Sequence, residues 1–160
     1  MKEKAKKIID IINAVTSMAD VQARYPDANG NTNTTWCNRA LHRMLVRLNG
    51  RAELIIKPEG IGWTSANTMV TLARQNLTRI ADGKAAQAIA NEGDLAIAMS
   101  FNPAGSGHVA IVCPDENVYD EMHGVLIGQA GLENGIMTLR RGFGSWMTVV
   151  EFYAVPFKTE

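Results

Sequence analysis

The apolar residues of this 160-residue chain change their period once. Up to about residue 90 they recur at helical spacing, and from residue 94 they alternate within short runs bounded by turn formers. Helices first and a meander of strands afterwards is the pattern of an α+β domain with an antiparallel sheet. The length suits one domain with one core, taken as residues 1–160, with an N-terminal helix over 1–20 and the core over 21–160.

Ile8, Ile11, Ile12, Val15 and Met18 predict an amphipathic helix over 3–19. Tyr25-Pro26-Asp27-Ala28-Asn29-Gly30-Asn31 is rich in turn formers and reads as a loop. Thr34 or Thr35 is placed to cap a second helix that begins near Trp36. Its apolar face is Cys37, Leu41, Met44, Leu45 and Leu48, and Asn49-Gly50 stops it. After an irregular stretch, a third helix follows Thr64 or Ser65 with the stripe Ala66, Met69, Val70, Ala73, Leu77 and Ile80. Asp82-Gly83 breaks that helix, and a short alanine-rich one runs to about Ala90. Residues 94–100, 107–113, 125–130, 136–141 and 147–155 are the expected strands.

Lys plus Arg balances Asp plus Glu at 16 each, which gives no general reason to expect nucleic acid or an anionic membrane as partner. No apolar run approaches the roughly 20 residues that span a bilayer. Ile8 to Val15 is interrupted by Asp10 and Asn13, so it lacks the unbroken centre of a signal peptide. Residence in a cytoplasm is the expectation, unless another route exports the chain. The two cysteines, Cys37 and Cys113, form neither a disulfide scaffold nor a CxxC zinc pair, and no bridge is expected between them. No phosphate loop, HExxH pair or metal-spaced carboxylate cluster is present, so no metal or organic cofactor is expected.

Cys37 falls at the first turn of a helix, where unsatisfied N–H groups and the helix dipole favour thiolate over thiol. It also shares a face with Leu41 and Leu45, as a small buried hydrophobe would. A nucleophile needs a base, and the chain has three histidines. His42 lies about 140° round the helix from Cys37 and reads as a surface residue. His123 sits in a polar loop and reads as solvated. His108 opens a strand after a glycine-rich turn, sharing a face with Ala110 and Val112, while Cys113 points the other way. Gln129, the polar residue among the apolar side chains of the next strand, is placed to accept a hydrogen bond from His108 and fix its tautomer, with Asn134 and His123 as alternatives. Tyr25, Trp36 and Asn38 are the candidates for substrate and oxyanion contacts.

Three segments together resemble a known family. Thr34-Thr35-Trp36-Cys37-Asn38 followed by a helix is similar to the nucleophile segment of the NlpC/P60 and CHAP cysteine peptidases. Glu92-Gly93-Asp94-Leu95-Ala96-Ile97 resembles their Gly-Asp-Leu strand opening, and Gly107-His108-Val109-Ala110-Ile111-Val112 resembles the strand that carries their base. The order agrees, and the likeness spans about residues 20–155. Trp36 and Asn38 flank the cysteine in place of the usual Asp-Cys-Ser-Gly. The resemblance implies a papain-like fold, with N-terminal helices packed on a C-terminal antiparallel β-sheet, and a monomer that hydrolyses amide bonds in peptidoglycan or peptides. It implies Cys37 as nucleophile, His108 as base, Gln129 near the third position and Tyr25 as the loop tyrosine. A phage or prophage lysin released through a holin, or a secretion-system effector, fits a leaderless wall enzyme. An acyltransferase or deamidase with the same dyad, or a non-catalytic peptide-binding module, are the other readings.

Overall fold

The structure, a computed structural model, describes residues 1–24, 35–58 and 64–159. Its helices are α1 (Glu3–Thr16), α2 (Ala19–Gln22), α3 (Cys37–Arg47), α4 (Ala66–Asn76), α5 (Gly83–Asn91) and α6 (Leu139–Phe143). Its strands are β1 (Thr78–Ile80), β2 (Leu95–Ser100), β3 (His108–Cys113), β4 (Leu126–Ala130), β5 (Asn134–Thr138) and β6 (Glu151–Val155). They form one sheet in the order β1-β6-β2-β3-β4-β5, every neighbouring pair antiparallel. The architecture is mixed helix and antiparallel sheet, as the change of period predicts.

Strand β2 shows why helices cover both faces of this sheet. All six of its residues are buried. Leu95, Ile97 and Met99 point to one side, where α1, α3 and α4 supply Ile8, Ile12, Leu41, Met44, Leu45, Met69 and Val70. Ala96 and Ala98 point to the other, where they meet Ala86 and Ala90 of α5 and Ala110 of β3. Small side chains on both partners let α5 lie close to the sheet. Each large aliphatic side chain buried in the first layer stabilises the fold by about 1.5–3 kcal/mol. Among the described residues no helix is long and apolar enough to cross a membrane.

Several expected boundaries shift for identifiable reasons. The helix expected over 3–19 ends at Thr16, and Ala19–Gln22 is a separate turn. The Thr16 and Ser17 hydroxyls donate back to the carbonyls of Ile12 and Asn13, which competes with continued helix. Leu77 and Ile80 do not continue the stripe of α4: the helix ends at Asn76 and residues 78–80 pair with β6 as an edge strand. The sheet therefore draws one strand from the helical half of the chain. The strand expected over 136–141 stops at Thr138, whose hydroxyl accepts the Arg141 N–H and starts α6. The strand expected over 147–155 begins only at Glu151, after a 3₁₀ segment at Gly144–Val149. The N-cap of α3 is Trp36 rather than Thr35, with no side-chain cap bond, and Thr34 lies outside the described residues. Ser65 and Asp82 do cap α4 and α5. The loop at residues 25–31 also lies outside the described residues.

One ionic network joins α4 to β6. Glu151 is buried, takes bonds from Arg74 Nε at 2.9 Å and Nη2 at 2.6 Å, and accepts the Tyr153 hydroxyl at 2.6 Å. Those Arg74 bonds hold its carboxyl below the usual carboxylate range, against a burial effect that raises it, and the Tyr153 bond adds to the lowering. A depressed carboxyl pKa contributes stability above the unfolded-state value, and that contribution is lost as pH falls through the folded one. Glu151→Ala should therefore cost about 1.5–3 kcal/mol at neutral pH, read as a lower urea midpoint, with the gap to the wild type closing in acid. Equal midpoints at neutral pH would contradict this role.

Candidate active site

Cys37 is the first residue of α3 and is 8% exposed. The first-turn N–H groups of a helix have no intrahelical acceptor. Here the N–H groups of Asn38 and Val109 lie close enough to the Cys37 sulfur to lower its pKa. The N–H of Arg39 goes to Oδ1 of Asn38 at 2.9 Å, and Nδ2 of Asn38 donates to the carbonyl of Thr64 at 3.0 Å. The Asn38 side chain thus ties the start of α3 to the segment before α4, and its backbone N–H is the part that reaches the sulfur.

The imidazole of His108 lies beside the Cys37 sulfur, close enough that each shifts the ionisation of the other. The two residues come from opposite layers. Cys37 packs with Val109, Ile111 and Cys113 on the α3 side of the sheet. By alternation His108 belongs to the other side, with Ala110, Val112 and Phe143. They meet because His108 is the first residue of β3, at the rim of the sheet, where α3 also begins.

Nε2 of His108 lies 2.6 Å from Oε1 of Gln129. The β3–β4 register pairs Ile111 with Gly128, so Gln129 comes opposite Ala110 and diagonal to His108 on one face. Gln129 is 3% exposed, and its Nε2 donates to the carbonyl of Glu133 at 3.0 Å. That donation fixes which end of the amide faces the imidazole. Oε1 can only accept, so the His108 nitrogen facing it carries the proton, and Nδ1 is left for the sulfur.

Burial alone would push the Cys37 thiol up, but the hydrogen bond and charge of His108, with the N–H groups of Val109 and Asn38, bring it below the ordinary thiol value. Burial alone would likewise push His108 down, yet the Cys37 and Gln129 contacts raise it. The two shifts favour a thiolate–imidazolium pair. Cys113 differs: burial pushes its thiol up to about 12. Both cysteines are free.

A cleft of about 540 Å³ opens beside the imidazole, lined by Thr35, His108, Gln129, Gly131, Leu132, Glu133, Arg141 and Gly142. Neither a protein-family model nor a curated protein sequence matches the chain. Of the expected residues, the structure brings Cys37, His108 and Gln129 together. Trp36 adjoins them in sequence and lies beneath the Arg39 guanidinium, 4.0 Å from ring centre to Cζ. Tyr25 lies outside the described residues. The alternatives for the third position are occupied elsewhere: Asn134 accepts the Gly131 N–H at 3.0 Å, and His123 pairs with Asp120 at 2.7 Å. His42 is partly buried rather than on the open surface, and burial pushes its pKa down. Among the described residues no group of His, Cys, Asp and Glu is arranged to hold a metal ion.

Sequence reasoning missed the wall behind the dyad. Phe143 of α6 sets its ring edge-on to His108 with centroids 4.6 Å apart. Gly142 presses so closely that a methyl group there would collide with Oε1 of Gln129 and stand 2.5 Å from Cδ1 of Ile127. The signal was the triplet Arg-Gly-Phe after Thr138, hidden by reading residues 136–141 as a strand.

Two outcomes follow. Iodoacetamide at about pH 6 should modify Cys37 and leave Cys113 untouched, as mass spectrometry will show; labelling of Cys37 that rises only in the free-thiol range of ~8.5 would contradict an activated sulfur. Gly142→Ala should displace the Gln129 amide at an overpacking cost of about 1–3 kcal/mol and move the Cys37 labelling curve to higher pH.

Proposed function

We propose that this chain is a papain-like cysteine peptidase or amidase of the NlpC/P60 and CHAP type, acting on amide bonds in peptides, with peptidoglycan stem peptides as the substrate class. The observation that carries the reading is the line from the Cys37 sulfur through the His108 imidazole to Oε1 of Gln129. A structural cysteine needs no hydrogen-bonded imidazole whose second nitrogen is itself held by an oriented amide. Wall peptides as substrate are supported by the likeness of the segments around Cys37, Asp94 and His108 to that family.

The thiolate attacks the carbonyl carbon, and the carbonyl π pair moves to oxygen. The N–H of Cys37, which no helical carbonyl can accept, donates to that oxyanion. Collapse breaks the C–N bond, and the proton on Nδ1 of His108 goes to the leaving nitrogen. Nδ1 then takes a proton from water as its oxygen attacks the thioester, and the sulfur departs as thiolate. Gln129 touches no substrate atom; it holds the imidazole in the one tautomer that leaves Nδ1 free for this shuttle.

Purified sacculi or wall peptides should release amine-bearing fragments with the wild type. Cys37→Ala and His108→Ala should each lose about 10⁴-fold or more, comparable to other nucleophile–base pairs. Equal release by Cys37→Ala would sink the proposal. The kcat/KM profile should be bell-shaped. Its acid limb marks protonation of Cys37 below the ordinary thiol range, and its alkaline limb marks loss of the His108 proton above the ordinary imidazole value. Gln129→Ala removes a contact that raises His108, so it should draw the alkaline limb downward.

A further inference from the structure

We infer that the Glu133–Arg141 ion pair is a positioning device: it latches α6 to the turn between β4 and β5 and so keeps the Gln129 amide aimed at His108. The inference deepens the proposed function and rests on that reading for its meaning in catalysis.

The amide of Gln129 takes its orientation from backbone, because its Nε2 donates to the carbonyl of Glu133. Wherever the turn 131–133 moves, that carbonyl moves with it. The turn has little packing of its own: Leu132 is 78% exposed, and the side chain of Glu133 is about half exposed. Arg24 donates to the carbonyls of Gly131 and Leu132, the latter at 2.7 Å, and the Asn134 side chain accepts the Gly131 N–H. Those bonds hold the start of the turn. Its end is held by the Glu133 carboxylate, which Arg141 grips through Nε and, at 2.7 Å, Nη2. A two-bond guanidinium–carboxylate contact fixes direction as well as distance.

The other side of the latch is α6, five residues long and too short to be stable by itself. Three consecutive residues of it act on the dyad. Arg141 holds Glu133, Gly142 closes against Oε1 of Gln129, and Phe143 meets the His108 ring. With the pair broken, the turn and α6 can separate, and the amide loses both its acceptor on one side and its wall on the other.

An exposed ion pair contributes little to global stability. A latch and an ordinary surface pair therefore differ in readout: the latch changes the Cys37 titration without changing the melting temperature. The test uses the whole chain with Glu133→Arg, Arg141→Glu, the exchanged double variant, and Glu133→Gln as a milder change that removes the charge and keeps the side chain's size. Cys37 alkylation is followed against pH, and circular dichroism reports folding. Each single variant should alkylate about three- to fivefold more slowly than wild type near pH 6, and the double variant should return to within about twofold of wild type. Singles that label like the wild type would overturn the latch, as would an exchange that fails to rescue. A rise in KM with unchanged kcat and labelling would also overturn it, by making Arg141 a substrate contact. Alkylation needs no substrate, so a chain that labels as expected yet hydrolyses nothing would sink the peptidase proposal and leave the latch intact.

Discussion

The contact between the Cys37 sulfur and the His108 imidazole can form only at the rim of the sheet, and that restriction shapes the molecule. A helix lying over a strand cannot touch side chains on the strand's far face. Cys37 belongs to the helical layer and His108 to the opposite one, so both must stand at the ends of their elements. The turn before β3 is held for this purpose. Asn67 of α4 donates to the carbonyls of Asn102 and Gly105 and accepts the Asn102 N–H at 2.9 Å. Gly107 then passes so close to Asn67 and to the Ser100 carbonyl, which a Cβ would approach to 2.6 Å, that only glycine fits immediately before the histidine.

Burial alone would favour the neutral form of both groups, and each offsets that for the other, so that the Cys37 thiol lies below and the His108 imidazole above its ordinary value. The N–H groups of Asn38 and Val109 add to this at the sulfur, one from the helix start and one from the strand. A sulfur deeper along α3 would lose the helix-start donors, and an imidazole deeper in β3 would be walled off by the sheet itself. Position at the element ends thus sets electrostatics and geometry together.

Much of this was legible in the sequence, because it depended on local rules. Period-two alternation correctly separated His108, Ala110 and Val112 from Val109, Ile111 and Cys113, and it placed Gln129 with Val125 and Ile127. Helix periodicity located α3 and α4, and Ser65 and Asp82 mark the starts of α4 and α5 as capping chemistry requires. What stayed hidden depended on tertiary context. Leu77 and Ile80 fit a helical stripe, yet pairing with β6 drew residues 78–80 into the sheet edge. Leu139 to Arg141 fit a strand by composition, yet the Thr138 cap and the Glu133 partner, eight residues back from Arg141, made them helical. The wall behind the dyad was missed for that reason. The layer assignment of α5 was also invisible, since its alanines match those of β2 and β3 only once the sheet exists.

The uncharged residue at position 129 follows from what surrounds it. The site asks for an acceptor toward the His108 N–H and a donor toward the Glu133 carbonyl. A carboxamide carries both. An ionised carboxylate carries two acceptors, so one oxygen would face the Glu133 carbonyl with no proton between them, buried at 3% exposure. The electrostatic gain at the imidazolium would be offset by that repulsion and by desolvation of a third charge. Asparagine has the right groups but is shorter by one methylene, and the distances of 2.6 Å and 3.0 Å on the two sides leave no slack for it. A glutamine here orients the histidine without adding a negative charge beside the Cys37 sulfur.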